Sequence, residues 1–206
     1  MTEKLDLKKQ LKLFYQPSTK DPQIIDIPTM NFLMIDGAGN PNTSPIYQQT
    51  VEALYSVSYT LKFMCKKELS QDYGVMPLEG LWWGTPMDKH VFTEADKDKF
   101  QWTMMIMQPD FITQAMVDRA IREAAAKKDI PQAGKLRFES FAEDTVVQLM
   151  HIGPYDAEGP TIEKMHQFAF GQGYHLIGKH HEIYLSDPRR ADPAKMKTVV
   201  RHPIAK

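Results

Sequence analysis

The hydrophobic and polar positions along this chain form one pattern that occurs twice. Residues 32–40 place a run of Phe, Leu, Met and Ile before a glycine turn, and residues 148–156 place Leu, Met, His and Ile before a second one. After each turn a proline, Pro45 or Pro160, precedes a stretch with helical spacing, and proline is well tolerated in the first turn of a helix. Each copy predicts a strand, a turn and a helix. The duplication predicts two similar halves related by a pseudo-twofold axis, with a cleft where they meet.

The same pattern predicts the remaining elements. Strands are expected at 23–27, 32–35, 74–83, 100–107, 136–141, 145–152, 181–185 and 198–202, and helices after Pro45, at 112–128 and at 161–170. In the first helix the inward positions recur every three or four residues: Val51, Leu54, Ser58, Leu61 and Cys65. The charged segment 88–99 is expected to connect two strands of a hairpin. Strands outnumber long helices, so we predict an α+β fold with mainly antiparallel neighbours.

The organisation of the chain follows from these elements. Residues 1–22 are rich in lysine and break at Pro17, which predicts a loosely held N-terminal arm. Residues 23–206 are expected to form one domain, with repeat halves at about 23–130 and 135–206. A chain of 206 residues is long enough to bury a sizeable core.

Composition narrows the classes of partner. Lys and Arg number 25 against 26 Asp and Glu, so the chain lacks the basic excess expected of a protein that binds nucleic acid directly. The single cysteine, Cys65, excludes an internal disulfide framework and suits a reducing cytoplasm. No apolar run reaches the ~18 residues of a membrane span. We therefore predict a cytoplasmic protein without nucleic-acid or membrane partners; the sequence allows a homodimer.

Metal and cofactor sites are not predicted. His180 and His181 are adjacent in a predicted strand and point to opposite faces, and His175 lies in a separate stretch rich in turn residues, so they cannot share an ion. The turn at 37–40 lacks the fingerprints of dinucleotide and phosphate loops. Cys65 falls on the apolar side of its helix and is expected in the core.

Two carboxylates beside aromatic residues are the candidate chemical groups. In the strand predicted at 181–185, Glu182 and Tyr184 share one face, which we expect to line the cleft, while Ile183 and Leu185 are expected beneath the helices. Glu79 is the corresponding acid of the first half.

Further aromatic residues accompany these acids. Trp82 and Trp83 follow Glu79 on opposite faces, and the sequence does not decide which of them faces the ligand. Trp102 on the next strand and Tyr155 after the second turn are additional candidates, with packing and turn capping as their alternative roles.

This combination is compatible with two kinds of chemistry. An ionised Glu182 could pair with a cationic ligand while aromatic rings add cation–π attraction. With its pKa raised by apolar neighbours, Glu182 could instead act as a general base on water, and a second acid or Tyr155 could stabilise the developing charge. Aromatic walls favour a flat ligand in either case.

The repeated apolar-glycine turns, Tyr155, and the late segment Glu-Ile-Tyr-Leu-Ser-Asp-Pro at 182–188 resemble the GyrI-like small-molecule-binding family. The resemblance covers nearly all of the chain after residue 22. It implies two fused strand-helix-strand-strand repeats that form one curved antiparallel sheet, with helices on one face and an acid-centred ligand cleft. The segment 77–83 looks like the stand-alone subgroup, which includes hydrolases that open the cyclopropane ring of planar DNA-alkylating natural products.

The sequence therefore predicts a protein that binds planar apolar small molecules and hydrolyses cyclopropane-bearing genotoxins. Glu182 is the expected base and Glu79 the second candidate catalytic carboxylate. The expected ligand-binding residues are Trp82, Trp83, Trp102, Tyr155 and Tyr184. A non-catalytic protein that sequesters drugs and a gyrase-modulating interaction protein are the alternatives. No metal or cofactor is expected.

Overall fold

The computed structural model describes residues 4–84 and 94–206, which form nine strands and six α-helices. The strands are β1 Gln23–Ile27, β2 Met30–Ala38, β3 Leu78–Trp83, β4 Gln101–Gln108, β5 Arg137–Phe141, β6 Asp144–Ile152, β7 His175–Leu176, β8 His180–Tyr184 and β9 Lys197–Ala205. The helices are α1 Leu7–Gln10, α2 Lys12–Tyr15, α3 Pro45–Glu68, α4 Glu94–Lys97, α5 Gln114–Ala125 and α6 Gly159–Gly171. The α+β prediction is confirmed. Of the predicted connection at 88–99, the part before residue 94 lies outside the described residues.

The strand order shows the predicted duplication. The sheet runs β1-β6-β9-β8-β3-β4-β2-β5, with β7 added on β9, and every pairing is antiparallel. The two repeats are β2-α3-β3-β4 and β6-α6-β8-β9. Their third elements, β3 and β8, pair at the centre of the sheet, so the order reads symmetrically outward from this pair. The centre of the sheet is therefore where the halves meet.

The two outermost strands are exchanged between the halves. β1 precedes β2 in the chain but pairs with β6, and β5 precedes β6 but pairs with β2. Ile27 is opposite Asp144 and Met30 is opposite Phe141, so both pairings belong to one ladder in the same register, interrupted for two residues on each strand. β1 and β2 lie end to end on one side of this ladder, and β6 and β5 lie end to end on the other. Since β1 and β5 are the two ends of the strand order, the sheet must curve to bring them together.

Helix α3 forms as its sequence pattern predicts. The Ser44 hydroxyl accepts a hydrogen bond from the backbone N–H of Tyr47, and Pro45 occupies the first turn. The face that packs on β2 and β4 is apolar, and Leu54, Leu61 and Cys65 on it are fully buried. This confirms Cys65 as a core residue. In the second half α6 packs on β6 and β9.

Both long helices of the repeats cover the face of the sheet that carries Glu182. The ring of Tyr47 in α3 lies 6.1 Å from that of Trp82, and Trp82 is opposite His180, two residues before Glu182. The expectation that Ile183 lies beneath the helices is wrong: it is opposite Glu79 and shares the other face. Alternation shows which residues share a face, but only the packed structure shows which face a helix covers.

The N-terminal arm is packed against that other face rather than loosely held. Tyr15 in α2 is almost fully buried and donates a hydrogen bond to Glu79 at 2.7 Å. Arg201 in β9 donates to the carbonyl oxygen of Phe14 at 2.7 Å, and Gln148 in β6 donates to that of Leu13 at 2.8 Å. The arm therefore closes over a buried polar network. Among the helices of the described ranges, none combines the length and apolar character needed to cross a membrane.

Candidate ligand-binding and catalytic site

A cavity of about 1700 Å³ lies over the central strands, between α3 and α6. Its walls carry several aromatic rings, including Tyr47, Trp82, Phe100 and Tyr184, and its floor carries Glu182. The cavity is larger than the ~300–1,000 Å³ of most small-molecule sites, so it can accept a drug-sized ligand.

Glu182 is held at the end of a chain of hydrogen bonds. The indole N–H of Trp82 donates to the Tyr184 hydroxyl at 3.0 Å, and that hydroxyl donates to Oε2 of Glu182 at 2.7 Å. Nε2 of His180 lies 3.3 Å from the other carboxylate oxygen. Because successive hydrogen bonds polarise one another, this chain favours a negative charge on Glu182.

Gly80 makes this arrangement possible. It is directly opposite Glu182 in the β3–β8 pair, so both positions face the cavity side. A Cβ atom on Gly80 would stand 2.7 Å from Nε1 of Trp82 and 3.2 Å from the side chain of Met104. The missing side chain lets the indole fold back along β3 and reach Tyr184.

The structure adds an acid that our sequence reasoning did not select. Glu158, immediately before α6, is buried and lines the cavity beside Glu182. Burial, together with the charge and hydrogen bond of Glu182, raises the pKa of Glu158 well above its ordinary value. Glu158 lies three residues after Tyr155, at the start of α6. This position is the sequence signal that could have identified it.

Glu182 has the opposite protonation behaviour. Burial by itself raises its pKa, but hydrogen bonds from His180, Tyr184 and Glu158 outweigh burial and lower the pKa overall. Of the two alternatives that the sequence leaves open, the lowered pKa favours an ionised Glu182, because polar donors and not only apolar groups surround it. These opposite shifts of pKa favour a proton on Glu158 and a negative charge on Glu182.

The three tryptophans occupy different environments. Trp82 and Trp83 both contribute to the cavity lining, and the Trp83 ring also contacts Lys179, whose Nζ lies 3.4 Å from the ring centroid. Trp102 is fully buried: its indole donates to the carbonyl oxygen of Gly39 at 3.2 Å, and a Cβ atom on Gly37 would be 2.1 Å from its ring. The structure thus places Trp102 in the packing beneath the cavity rather than on its wall.

Tyr155 and Tyr184 meet edge to face, with ring centroids 5.4 Å apart. Burial, then the charges of Glu158 and Glu182, raise the pKa of Tyr155 to about 12. The Tyr155 hydroxyl therefore keeps its proton at neutral pH and can donate a hydrogen bond into the cavity. Both predicted tyrosines lie at one site with Glu182.

Glu79 lies on the other face of the sheet and has no exposed side-chain surface. It accepts hydrogen bonds from Tyr15 and, at 3.0 Å, from Nε2 of His181. On its other side His181 contacts Glu143 at 2.9 Å, and Glu143 pairs with Arg201 at 2.8 Å. The structure does not bring Glu79 and Glu182 together, because pairing Gly80 with Glu182 directs the neighbouring Glu79 away from the cavity.

The pKa values of His181 and Glu143 in this buried network are shifted in opposite directions, and both shifts favour the charged form. Burial alone lowers the pKa of His181, but Glu143 and Glu79 raise it to about 9. Burial alone raises the pKa of Glu143, but His181 and Arg201 lower it to about 2. The network is therefore a set of paired buried charges that joins the arm to the sheet.

A curved antiparallel sheet with two helices around an acid-centred, aromatic cavity defines a small-molecule-binding domain. The sequence model of the GyrI-like small molecule binding domain matches residues 20–204, and the chain belongs to this family. No curated protein matches the sequence.

Solved structures show the same fold. A conserved protein from Listeria innocua is 41% identical with a TM-score of 0.89, and the alignment covers 98% of this chain and 100% of that chain. A second structure, described as a hydrolase from Listeria innocua, is 40% identical with a TM-score of 0.86 and the same coverage. The C-terminal domain of EcmrR, at 15% identity and a TM-score of 0.55 over 90% of this chain and 98% of that chain, shares the fold.

Proposed function

We propose that the protein is a hydrolase that opens a strained, electrophilic ring, such as a cyclopropane, in planar apolar small molecules. The observation that carries this proposal is a pair of neighbouring acids inside an aromatic cavity, with a lowered pKa for Glu182 and a raised pKa for Glu158. The hydrolase from Listeria innocua, 40% identical over nearly the whole chain, supports the same reaction type.

Glu182 is proposed as the general base. As the oxygen of a water molecule forms a bond to a ring carbon, the carboxylate accepts a proton from that water. The ring C–C bond breaks, and its electron pair moves into the conjugated carbonyl group of the substrate. The Tyr184 hydroxyl, 2.7 Å from Glu182, positions the carboxylate for this step.

A protonated group completes the reaction by supplying a proton to the carbonyl oxygen that gains the electron pair. Tyr155, whose pKa is raised to about 12, and Glu158, whose pKa is raised well above its ordinary value, are the candidate donors, and both line the cavity. Return of the proton from Glu182 to the donor restores the enzyme. The net reaction adds one water, with the hydroxyl on the ring carbon and the proton on the former carbonyl oxygen. General acid–base catalysis of this kind contributes roughly 10²- to 10⁴-fold.

The aromatic walls select the substrate class. Trp82 stands between Tyr47 and Phe100, with ring centroids 6.1 and 5.6 Å away. Such a group of rings favours a flat, apolar ligand through stacking and edge contacts. Stacking would hold the strained ring of the ligand above Glu182.

One observation favours a second function, sequestration of cationic drugs without turnover. An ionised carboxylate among aromatic rings is also the arrangement that binds an organic cation, through charge pairing and cation–π attraction. In that case the same cavity would bind ligand tightly and release it unchanged.

Turnover of a cyclopropane-bearing planar alkylator in heavy-oxygen water separates these functions. We expect mass spectrometry to show multiple turnovers to a ring-opened product that contains the solvent oxygen. Glu182→Gln should abolish turnover and retain binding, while Glu163→Gln, an exposed acid on α6, should behave as wild type. Binding without product in the wild-type protein would refute the hydrolase and favour sequestration.

A further inference from the structure

Three histidines from separate segments meet at one end of the cavity. His166 lies on α6, His180 on β8 and His202 on β9. The rings of His166 and His202 are 5.0 Å apart between centroids, and those of His180 and His202 are 5.8 Å apart. One ligand atom from each residue lies within 4.8 Å of the others.

The backbone positions these residues for a common partner. His181 is opposite Arg201 in the β8–β9 ladder, so His180 and His202 are the next pair and share a face. Helix α6 packs on β9 from that side and brings His166 over them. All three line the cavity. The cluster is thus built by two paired strands and a helix, which are rigid elements.

The environment of His202 makes its imidazole a suitable ligand. Both of its ring nitrogens are buried, and neither has a hydrogen-bond partner of good geometry within the described residues, although the backbone of Ile177 lies near enough to interact with the ring. His151 shows the ordinary arrangement, with one nitrogen 2.9 Å from the Thr161 hydroxyl and the other 3.2 Å from a carbonyl oxygen. Because buried polar atoms normally have partners, the His202 nitrogen that carries the lone pair is available to a group that accepts it, such as a metal ion.

We propose that His166, His180 and His202 bind a divalent transition-metal ion of the zinc type, with a fourth coordination position open to the cavity. Imidazole nitrogen is a preferred ligand of Zn²⁺, and three protein ligands with one open position are typical of reactive zinc sites. Tetrahedral coordination at ~2.0–2.1 Å places the nitrogens about 3.4 Å apart, so the present spacing, which is within 4.8 Å, would shorten on binding.

The neighbouring carboxylate supports this assignment. Nε2 of His180 lies 3.3 Å from Oε1 of Glu182, the carboxylate–histidine contact that commonly orients metal-binding imidazoles. An ion here would lie beside the proposed base. Binding of the ion nevertheless requires only the three histidines and does not depend on the proposed hydrolysis.

The test is a titration of the full-length, chelator-treated protein with Co²⁺, followed by visible absorption, with Zn²⁺ as competitor. We expect one equivalent to bind with the strong bands of a tetrahedral site. His166→Gln and His202→Asn should each weaken binding at least about tenfold, because each removes a ligand. His175→Gln, an exposed histidine on β7, is the matched control and should leave binding unchanged.

Circular dichroism of each variant separates loss of a ligand from loss of the fold, and His166→Gln alone suffices if His202→Asn does not fold. The proposal is overturned if the folded wild-type protein binds no Co²⁺ tighter than about 100 μM. Equal affinity in His166→Gln, His175→Gln and wild type would overturn it as well. Both outcomes are independent of whether any substrate is turned over.

Discussion

Glu182 lies directly opposite Gly80, and this pairing organises the cavity floor. The glycine leaves the space into which Trp82 folds, and Trp82 in turn holds Tyr184 against the carboxylate. A residue without a side chain thus determines the position of the proposed base through two neighbours.

Replacing Gly80 with alanine should disturb the cavity more than the fold. The added Cβ would stand 2.7 Å from Nε1 of Trp82, so the indole must move and its hydrogen bond to Tyr184 should break. We expect weaker ligand binding, lower turnover and a loss of about 1–3 kcal/mol in the free energy of unfolding. Gly134→Ala is the matched control, because a Cβ there meets no atom within 4 Å. Equal ligand affinity in the two variants would contradict this account.

Tyr184→Phe tests the hydrogen bond to Glu182 while it keeps the aromatic ring. Hydrogen bonds to charged groups contribute about 1.5–3 kcal/mol, so turnover should fall by roughly 10- to 100-fold if this bond positions the base. Stacking with the ligand should persist, and affinity should change little. Steady-state kinetics and equilibrium binding on the same preparation check both parts, and an unchanged rate would remove Tyr184 from the mechanism.

Glu158→Gln tests whether the buried acid is neutral. Glutamine has nearly the same shape and carries no charge, so replacing a protonated glutamic acid should leave thermal stability at neutral pH close to wild type. If Glu158 supplies a proton during ring opening, turnover should drop while ligand binding is retained. A large loss of stability would instead show that Glu158 is ionised in the folded protein.

The buried network beneath the sheet should make stability depend on pH. The pKa of Glu143 is about 2 in the folded protein against an ordinary value of 4.5, so its stabilisation is complete above about pH 4.5 and is lost as the pH falls towards 2. This difference in the pKa of Glu143 contributes about 3 kcal/mol to the free energy of unfolding at neutral pH. Urea unfolding at a series of pH values should show this decline.

Glu143→Gln supplies the corresponding comparison. It should lose about 3–5 kcal/mol at neutral pH, because it leaves the buried charges of His181 and Arg201 without their carboxylate. Its unfolding free energy should also vary less than wild type between pH 4.5 and 2. A parallel acid decline in both proteins would assign the pH dependence to other groups.

The sequence by itself determined the long helices, the main strands and which residues of a strand share a face. The repeated apolar-glycine turns predicted the duplicated strand-helix units, and alternation in β8 placed Glu182 and Tyr184 on one side of the strand. These properties depend on residues close together in the chain, so local periodicity contains them. The resemblance to the GyrI-like family also rests on these repeated turns.

The tertiary structure decided which distant residues meet. The register of β3 on β8 sent Glu79 to the opposite face from Glu182 and brought Trp82 to the cavity, and the packing of α6 placed Glu158 beside Glu182. It also brought His166, His180 and His202 together from three segments. Strand register and helix packing are set by contacts between segments far apart in the chain, and the protonation of Glu182 depends on the donors that those contacts bring to it.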